Sequence, residues 1–327
     1  MSAQPTKFAD CSLKGAPMIT KILRMTKNFV TDPVIRFHYL KKLGLMNQLP
    51  DDKFLQKEFP IIMGYPLDLQ SPKTFNEKIQ WLKLYDRKPI YTELVDKYEV
   101  RKHIEQWCGE DCLIPLVGGP WDRFEEIDFD KLPDRFVLKC THNSGGIFIC
   151  TDKSRLDVEA AKAKINAGMK ENFYWAHREW AYKDVKPRII AEAYMDDENA
   201  TAGLTDYKFF CYGATPKLVH VSDGMSDHSQ CGISYFDLEG NRLPFGRSNY
   251  PPVADDFQLP SNLAQMTEVA AQIAKQVDRA IVRVDLYSIC GKIYFSEITL
   301  FPSAGLLHFA PAEWDRKLGD WMDLSNQ

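Results

Sequence analysis

The stretch Arg283-Val-Asp-Leu-Tyr-Ser-Ile-Cys-Gly-Lys-Ile-Tyr-Phe-Ser-Glu-Ile-Thr299 reads as a β-hairpin that can gather two carboxylates, an arginine and a hydroxyl on one face. Side chains alternate along a strand, so Arg283 and Asp285 share a side, as do Phe295, Glu297 and Thr299 on the returning strand. Whether the two sets face the same way depends on the turn at Cys290-Gly291. A three-residue loop with Gly in the left-handed position gives paired residue numbers an even sum and sets Asp285 beside Glu297; a two-residue Cys-Gly turn splits them. Directly opposed carboxylates repel by up to roughly 1 kcal/mol, and Arg283 offsets only part of that. Mg²⁺ is the cation that suits such a pair, since it prefers hard oxygen ligands, takes one or two carboxylates and completes its shell with water and substrate phosphates. A hairpin whose charges are merely solvated would carry the same residues, so other segments have to decide.

Length and charge set the frame. A chain of 327 residues has room for two or three lobes around a sizeable core. A net charge of −4 and a pI of about 6.0 argue against a dedicated nucleic-acid binder. The charge is uneven: Cys11 to Gly44 holds seven basic residues and one acidic one, Asp32, so the body is acidic and the N-terminal arm basic. In that arm Met18, Ile19, Ile22, Leu23, Phe29 and Val30 recur at helical spacing among Lys14, Lys21, Arg24 and Lys27. Such a segment suits peripheral contact with an anionic membrane surface, or a helix packed on the body with its charges solvated. No signal peptide is evident and no run of about 18 apolar residues could span a bilayer, so the chain is expected to be cytoplasmic. The eight cysteines are too dilute for a disulfide scaffold, and Cys108-Gly-Glu-Asp-Cys112 has no second pair at zinc spacing.

The chain divides into three expected parts: a mostly helical region with its basic arm over 1–95, then 96–200 and 201–327, both mixing helices and strands. Behind Ser71-Pro-Lys-Thr, the residues Phe75, Ile79, Trp81, Leu82 and Leu84 give an apolar helix face. Strands are expected at 113–117, 136–140, 147–150, 188–194, 207–212, 217–221 and 233–236, and helices at 158–169 and 263–277. The fold class is therefore α+β.

Two further segments carry site chemistry. In Phe136-Val-Leu-Lys-Cys-Thr-His-Asn-Ser-Gly-Gly-Ile-Phe-Ile-Cys150 a polar, glycine-rich turn joins two strands. Glycines let backbone N–H groups approach an anion, and Thr141, Asn143 and Ser144 add neutral donors, while Lys139 supplies a point charge. A plain hairpin turn would look similar, and neither a G-x-x-x-x-G-K-[ST] loop nor a G-x-G-x-x-G after a strand is present. In Pro187-Arg-Ile-Ile-Ala-Glu-Ala-Tyr-Met195 an apolar strand runs into Asp196, Asp197 and Glu198. Such a strand end can offer backbone groups to an adenine edge and a carboxylate to ribose hydroxyls, or be a strand followed by a solvated acidic loop.

These blocks, in this order, resemble the ATP-grasp superfamily and specifically its TupA-like branch, named for teichuronopeptide biosynthesis and found with polysaccharide-assembly genes. The resemblance runs from Ser71-Pro-Lys-Thr-Phe-Asn-Glu-Lys-Ile-Gln-Trp-Leu-Lys through Asp96-Lys-Tyr-Glu-Val-Arg101, Leu132-Pro-Asp-Arg-Phe-Val-Leu-Lys139, Pro187-Arg-Ile-Ile190 and Asp206-Tyr-Lys-Phe-Phe210 to the hairpin. It implies an ATP-grasp fold, two α+β lobes clasping ATP and Mg²⁺. On that resemblance Lys139 binds nucleotide phosphate, His142, Asn143, Ser144, Gly145 and Gly146 form a mobile phosphate-covering loop, and Glu192, Ala193, Tyr194 and Met195 form the adenine hinge with Asp197 beyond it. Lys208 is a second phosphate-facing cation, Asp285 and Glu297 hold Mg²⁺, and Arg283 stabilises the transferring phosphoryl group. Thr299 stands where many ATP-grasp enzymes carry Asn, and its hydroxyl is a poorer third metal ligand.

The implied chemistry is carboxylate activation: ATP phosphorylates an acceptor carboxylate, and an amine attacks the acyl phosphate to give an amide. Expected partners are a saccharide, uronic-acid-containing or lipid-linked, and an amine or amino acid. Catalysis would rest on positioning and charge neutralisation by Lys139, Lys208, Arg283 and metal. His142 is the nearest candidate for a general base, though a loop His equally serves as a phosphate donor or is solvated. Rival readings are a kinase acting on a sugar hydroxyl and a non-catalytic nucleotide- or glycan-binding component, for which Tyr174, Trp175, Trp180 and Tyr182 could stack on sugar rings or belong to the core.

Overall fold

A computed structural model describes residues 30–197, 203–224 and 231–325. The arm from Lys14 to Phe29 and Glu198 of the acidic run lie outside the described residues. The chain divides into two units, Met1–Leu67 and Asp68–Gln327. In the first, helix α1 (Pro33–Lys42) begins where the Asp32 carboxylate accepts from the Val34 and Ile35 amides, with Pro33 at the first helical position. Helix α2 (Asp51–Met63) stops at Gly64, whose φ of 81° suits glycine. Phe37 packs on Phe54, and Lys41 pairs with Glu58 at 2.7 Å.

The second unit opens with α3 (Phe75–Tyr85), started by a reciprocal capping box between Thr74 and Glu77. Phe75, Ile79 and Leu82 are buried, but Trp81 and Leu84 are only half-buried. The buried face turns instead toward polar residues: Gln80 donates to the Ala304 and Gly305 carbonyls at 3.0 and 2.7 Å, and Lys83 donates to Ala304 at 2.8 Å. These bonds satisfy a tight turn over 302–305, which is why amide and ammonium groups tolerate the interior there. Helices α4 (Ile90–Val95) and α5 (Val100–Cys108) follow.

A four-stranded antiparallel sheet comprises β1 (Leu116–Trp121), β2 (Phe136–Cys140), β3 (Ile147–Cys150) and β4 (Ile189–Ala193), in the order β1-β4-β2-β3. Helix α6 (Val158–Met169) covers it through Ala161 and Ile165, which share a core with Phe136, Leu138 and Ile189; the short α7 (Tyr174–His177) precedes β4. The strand expected at 113–117 starts at Leu116, because Leu113 is bridged to Phe295 in another sheet.

That other sheet has five antiparallel strands, β5 (Asp206–Tyr212), β6 (Thr215–Asp223), β7 (Gly232–Phe236), β9 (Ile281–Ile289) and β10 (Lys292–Thr299), ordered β10-β9-β5-β6-β7. Between β7 and β9 lie β8 (Gly246–Arg247), which pairs with β11 (Phe309–Ala310), and helix α8 (Leu263–Val277); α9 (Glu313–Asp320) closes the chain's regular structure. Helix α8 covers one face of the sheet, where the Cys211 thiol lies 3.9 Å from the Ala270 carbonyl and Phe209 and Val284 share its core. The opposite face carries the charged residues of β5, β9 and β10.

Of the two turns the sequence left open, the hairpin of β9 and β10 forms with the shorter one. Ile289 pairs with Lys292, so the turn is the two residues Cys290 and Gly291, with φ of 50° and 77°. Positive φ at both positions is the requirement of a type I′ turn. That turn alone would split the carboxylates. The register slips at Ser296, however: Phe295 pairs with Leu286, and Glu297, not Ser296, pairs with Asp285. A β-bulge therefore returns Glu297 to the Asp285 face and leaves Phe295 on the other one, correcting the expectation that Phe295 and Glu297 share a side.

Candidate active site

The bulge completes a row of side chains across the whole five-stranded sheet. Glu297, Asp285, Lys208, His220 and Tyr235 are successive cross-strand partners on β10, β9, β5, β6 and β7. Arg283, one face-repeat before Asp285, grips it in bidentate fashion, Nε to Oδ1 at 2.7 Å and Nη2 to Oδ2 at 2.6 Å. The same Nη2 donates to Glu297 Oε1 at 3.1 Å, and Thr299 Oγ1 donates to that oxygen at 3.2 Å. Lys208 Nζ lies 2.8 Å from Asp206 Oδ2. Burial pushes the Asp285 carboxyl up to about 6; Arg283 opposes this and Glu297 adds to it. Burial also disfavours charge on Glu297, but Arg283, Lys97 and Lys208 outweigh it and hold that carboxyl below its ordinary value. One arginine thus serves two neighbouring acids.

The four-stranded sheet brings a second group. Lys139 on β2 and Glu192 on β4 share a face and meet at 2.5 Å, and Arg101 of α5 approaches Glu192 at 3.3 Å. The Ala193 amide donates to the Pro115 carbonyl at 2.9 Å. The Tyr194 ring lies under the Arg135 guanidinium, 4.1 Å from its centroid, while Arg135 pairs with Asp196 at 2.7 Å. Met195 and Asp197 are half-buried beyond it.

The loop between β2 and β3 is tied down. Asn143 donates to the Gly168 carbonyl at 2.8 Å, and its Oδ1 accepts from the Gly145 and Gly146 amides at 3.3 and 3.0 Å. Only Ser144 and Gly145 are exposed. Gly146 has a packing reason: a Cβ there would collide with the Cys140 thiol and lie 2.7 Å from Cys140 Cβ. His142 is buried, with Nε2 donating to the Glu171 carbonyl at 3.0 Å and Nδ1 without a partner; burial lowers its pKa.

A sequence model described as TupA-like ATPgrasp matches residues 77–323, a span that includes both sheets and the hairpin. The chain belongs to the TupA-like ATP-grasp family. Solved structures similar to it include D-alanine–D-alanine ligase from Helicobacter pylori, at 14% identity over 76% of this chain and 68% of that one with a TM-score of 0.41. L-amino acid ligase from Bacillus licheniformis is 18% identical over 69% of this chain and 48% of that one, TM-score 0.39. N5-carboxyaminoimidazole synthetase from Staphylococcus aureus is 12% identical over 64% and 44%, TM-score 0.37. The chain thus spans between about two fifths and two thirds of the length of these three proteins. Among curated proteins, none matches it.

In this TupA-like ATP-grasp chain the residue that joins the two groups is one the sequence reading did not single out. Lys97 Nζ donates to the Asn143 carbonyl at 2.5 Å, and its own amide donates to Thr141 at 3.0 Å. Its pKa is lowered by burial, with Glu297 pulling it back up and Lys139 opposing. Lys97, Arg101, Lys139 and Glu192 line a cleft whose other wall is Phe295 and Ser296, and Lys97 also lines a second one with Tyr182, Ser296 and Glu297. The bulged residue therefore stands at the junction of both sheets. The signal was present in Asp96-Lys-Tyr-Glu-Val-Arg101: Asp96 caps the Tyr98 and Glu99 amides and pairs with Arg188 at 2.8 Å, fixing the turn that aims Lys97.

The aromatic run pairs internally. Tyr174 lies 4.8 Å from Trp175 and Phe173 4.9 Å from Tyr182 between ring centroids, and the Arg178 guanidinium packs on Tyr174 and Trp175.

The donor set fits Mg²⁺. Among the described residues no cluster of three or more His, Cys, Asp or Glu is placed to hold a metal; Asp285 and Glu297 are two neighbouring carboxylates, a donor set that could hold Mg²⁺ with the remaining ligands drawn from phosphate and water. A divalent cation there would offset both the burial that raises the Asp285 pKa and the smaller repulsion from Glu297. Among the described residues no helix is long and apolar enough to cross a membrane.

Proposed function

We propose that the chain is an ATP-dependent, Mg²⁺-requiring ligase that joins a carboxylate to an amine during assembly of a surface polysaccharide, with residues 96–200 and 201–327 as the lobes that clasp the nucleotide. The observation that carries this is the convergence, through the Ser296 bulge, of Asp285, Glu297, Arg283 and Lys208 on one sheet face, with Lys97 linking them to Lys139 and Glu192. Lys139 and Lys97 bind nucleotide phosphates, and Glu192 with the 193–197 segment receives the adenosine end. Asp285 and Glu297 hold Mg²⁺, which when bound neutralises charge on the β- and γ-phosphates.

An oxygen of the acceptor carboxylate attacks the γ-phosphorus, and the bond from phosphorus to the β–γ bridging oxygen breaks, releasing ADP. Lys208 and Arg283 balance the charge that spreads over the transferring group, and a fixed guanidinium does so without reorganising. The amine nitrogen then adds to the acyl carbon, phosphate leaves with the electron pair of the C–O bond, and the nitrogen loses its proton to solvent. His142 is poorly disposed to take that proton: with Nε2 donating to Glu171, its accepting atom is Nδ1, which is buried, and burial lowers the ring's pKa. The saccharide-borne acceptor and the site of action at the cytoplasmic membrane face rest on the resemblance to the polysaccharide-assembly branch and on the basic arm.

The test labels the acceptor carboxyl with ¹⁸O. In an acyl-phosphate route one labelled oxygen is recovered in the released phosphate. Phosphate retained on the acceptor would mark a sugar kinase, and amide formed without label in phosphate would overturn the proposal.

A further inference from the structure

The row that begins at the carboxylate pair ends, on β7, beside a cation that has no acid partner among the described residues. Arg247, on β8 next to β7, is half-buried; its Nε is buried without a hydrogen-bond partner, and among the described residues no carboxylate lies within ion-pairing distance of it. Its guanidinium packs over the Tyr250 ring at 5.1 Å. Every other cation on this face has an acid: Arg283 holds Asp285 and Glu297, and Lys208 holds Asp206. Arg247 stands near Tyr235 and His220, the last two members of the row. Phe245, two residues before it, stacks on Tyr235 at 4.4 Å, and Phe309, its pairing partner on β11, lies 6.4 Å from the Tyr235 ring. The Tyr235 hydroxyl is likewise buried with no partner.

His220, between Tyr235 and Lys208, does not answer that charge. It shares a hydrogen bond with Ser222 at 3.1 Å, and burial together with Lys208, Arg283 and Arg247 keeps its ring neutral. This end of the sheet therefore offers a guanidinium and a phenol hydroxyl with unmet hydrogen-bonding capacity and, among the described residues, no anion. A half-buried cation left this way is costly unless an anion completes it.

We propose that Arg247, with the Tyr235 hydroxyl, binds an anionic group of the acceptor, a carboxylate or a phosphate, separate from the carboxylate that is phosphorylated. The inference rests on the ligase reading for the word acceptor. Strands lie about 4.8 Å apart, so Tyr235 stands roughly 10 Å from Lys208 along the row. The acceptor therefore carries two anionic groups about that far apart: one over Lys208 and Arg283, where phosphoryl transfer takes place, and one at Arg247. Arg247 would select against acceptors that lack the second group.

Calorimetry on the full chain tests this with suberate and sebacate, their monomethyl esters and the matching ω-phosphonocarboxylates, in the presence of Mg²⁺ and a non-hydrolysable ATP analogue. The wild type should bind a doubly anionic probe roughly tenfold more tightly than its monoester, the scale of one charge-assisted contact. Arg247→Gln should erase that preference, Arg247→Lys should keep part of it, and Tyr235→Phe should weaken it severalfold, each with nucleotide-analogue binding intact. Whichever of the dicarboxylate and the phosphonocarboxylate shows the larger Arg247-dependent preference names the second group. Equal binding of diacid and monoester by the wild type, or an undiminished preference in Arg247→Gln, overturns the proposal. Preference that depends on Arg247 in a protein that never releases phosphate from ATP would leave the anion site standing and sink the ligase reading instead.

Discussion

Arg283 divides one guanidinium between two acids, and Asp285 bears the consequence. Its side chain is 2% exposed, both oxygens are taken by Arg283, and Glu297 stands opposite it in the ladder. A carboxyl group ordinarily titrates near 3.9; here burial pushes it up to about 6. With the folded value above the unfolded one, the contribution of Asp285 to stability is fully present below about pH 4 and is lost as pH rises through about 6. In metal-free protein, the stability of the wild type relative to Asp285→Asn should therefore fall between pH 4 and pH 7, as measured by urea denaturation. A difference independent of pH would mean that Arg283 fully compensates the buried charge. At neutral pH the same variant should lose Mg²⁺-dependent turnover while remaining folded, because the ionised carboxylate is then the ligand and the amide is not.

At the scale of elements, glycine position decides what a loop is for. The β2–β3 turn has the composition of a phosphate loop, yet Gly146 faces the Cys140 side chain, and Gly168 of α6 is so close that a Cβ on it would lie 2.8 Å from Gly146 Cα. Gly145, its neighbour, has open space. Gly146→Ala should destabilise the protein by about 1–3 kcal/mol in chemical denaturation, as overpacking does, whereas Gly145→Ala should change stability little; equal effects would remove the packing explanation. This distinction was not legible in the sequence, since which of two adjacent glycines meets a helix depends on a tertiary contact. The hairpin teaches the same lesson. Alternation put Arg283 beside Asp285 and Glu297 beside Thr299 but left open whether the two sets share a face: the Cys290-Gly291 turn alone would split them, and the slip at Ser296 that reunites them has no local signature. The strands at 136–140 and 147–150 and the helices at 158–169 and 263–277 lie where periodicity put them. Lys97 escaped notice because its role arises only where Thr141, Asn143 and Glu297, far apart in sequence, come together.

For the molecule as a whole, two predictions separate membrane approach from nucleotide grip. The basic arm should carry full-length protein onto anionic vesicles in a flotation assay, each basic residue near the surface adding about 1 kcal/mol; binding should weaken with salt and when Lys21, Arg24 and Lys27 are changed to Glu, and protein that stays unbound at low salt would exclude the anchor. The grip concerns the two sheets. Lys139 stands on the four-stranded sheet and the carboxylate pair on the five-stranded one, with Lys97 facing both, so a nucleotide held between them would link the two sheets. A ligand at a hundred times its Kd stabilises the folded state by about 2.7 kcal/mol, which a thermal-shift measurement resolves. ATP alone should raise Tm through Lys139 and Lys97, and Mg²⁺ should add a second increment through Asp285 and Glu297. Lys139→Ala should then lose stabilisation both with and without Mg²⁺, while the double variant Asp285→Asn, Glu297→Gln should keep the first increment and lose only the second. The reverse pattern, with the Mg²⁺ increment intact in the double variant, would move the metal away from the hairpin and leave the bulge at Ser296 without a catalytic reason.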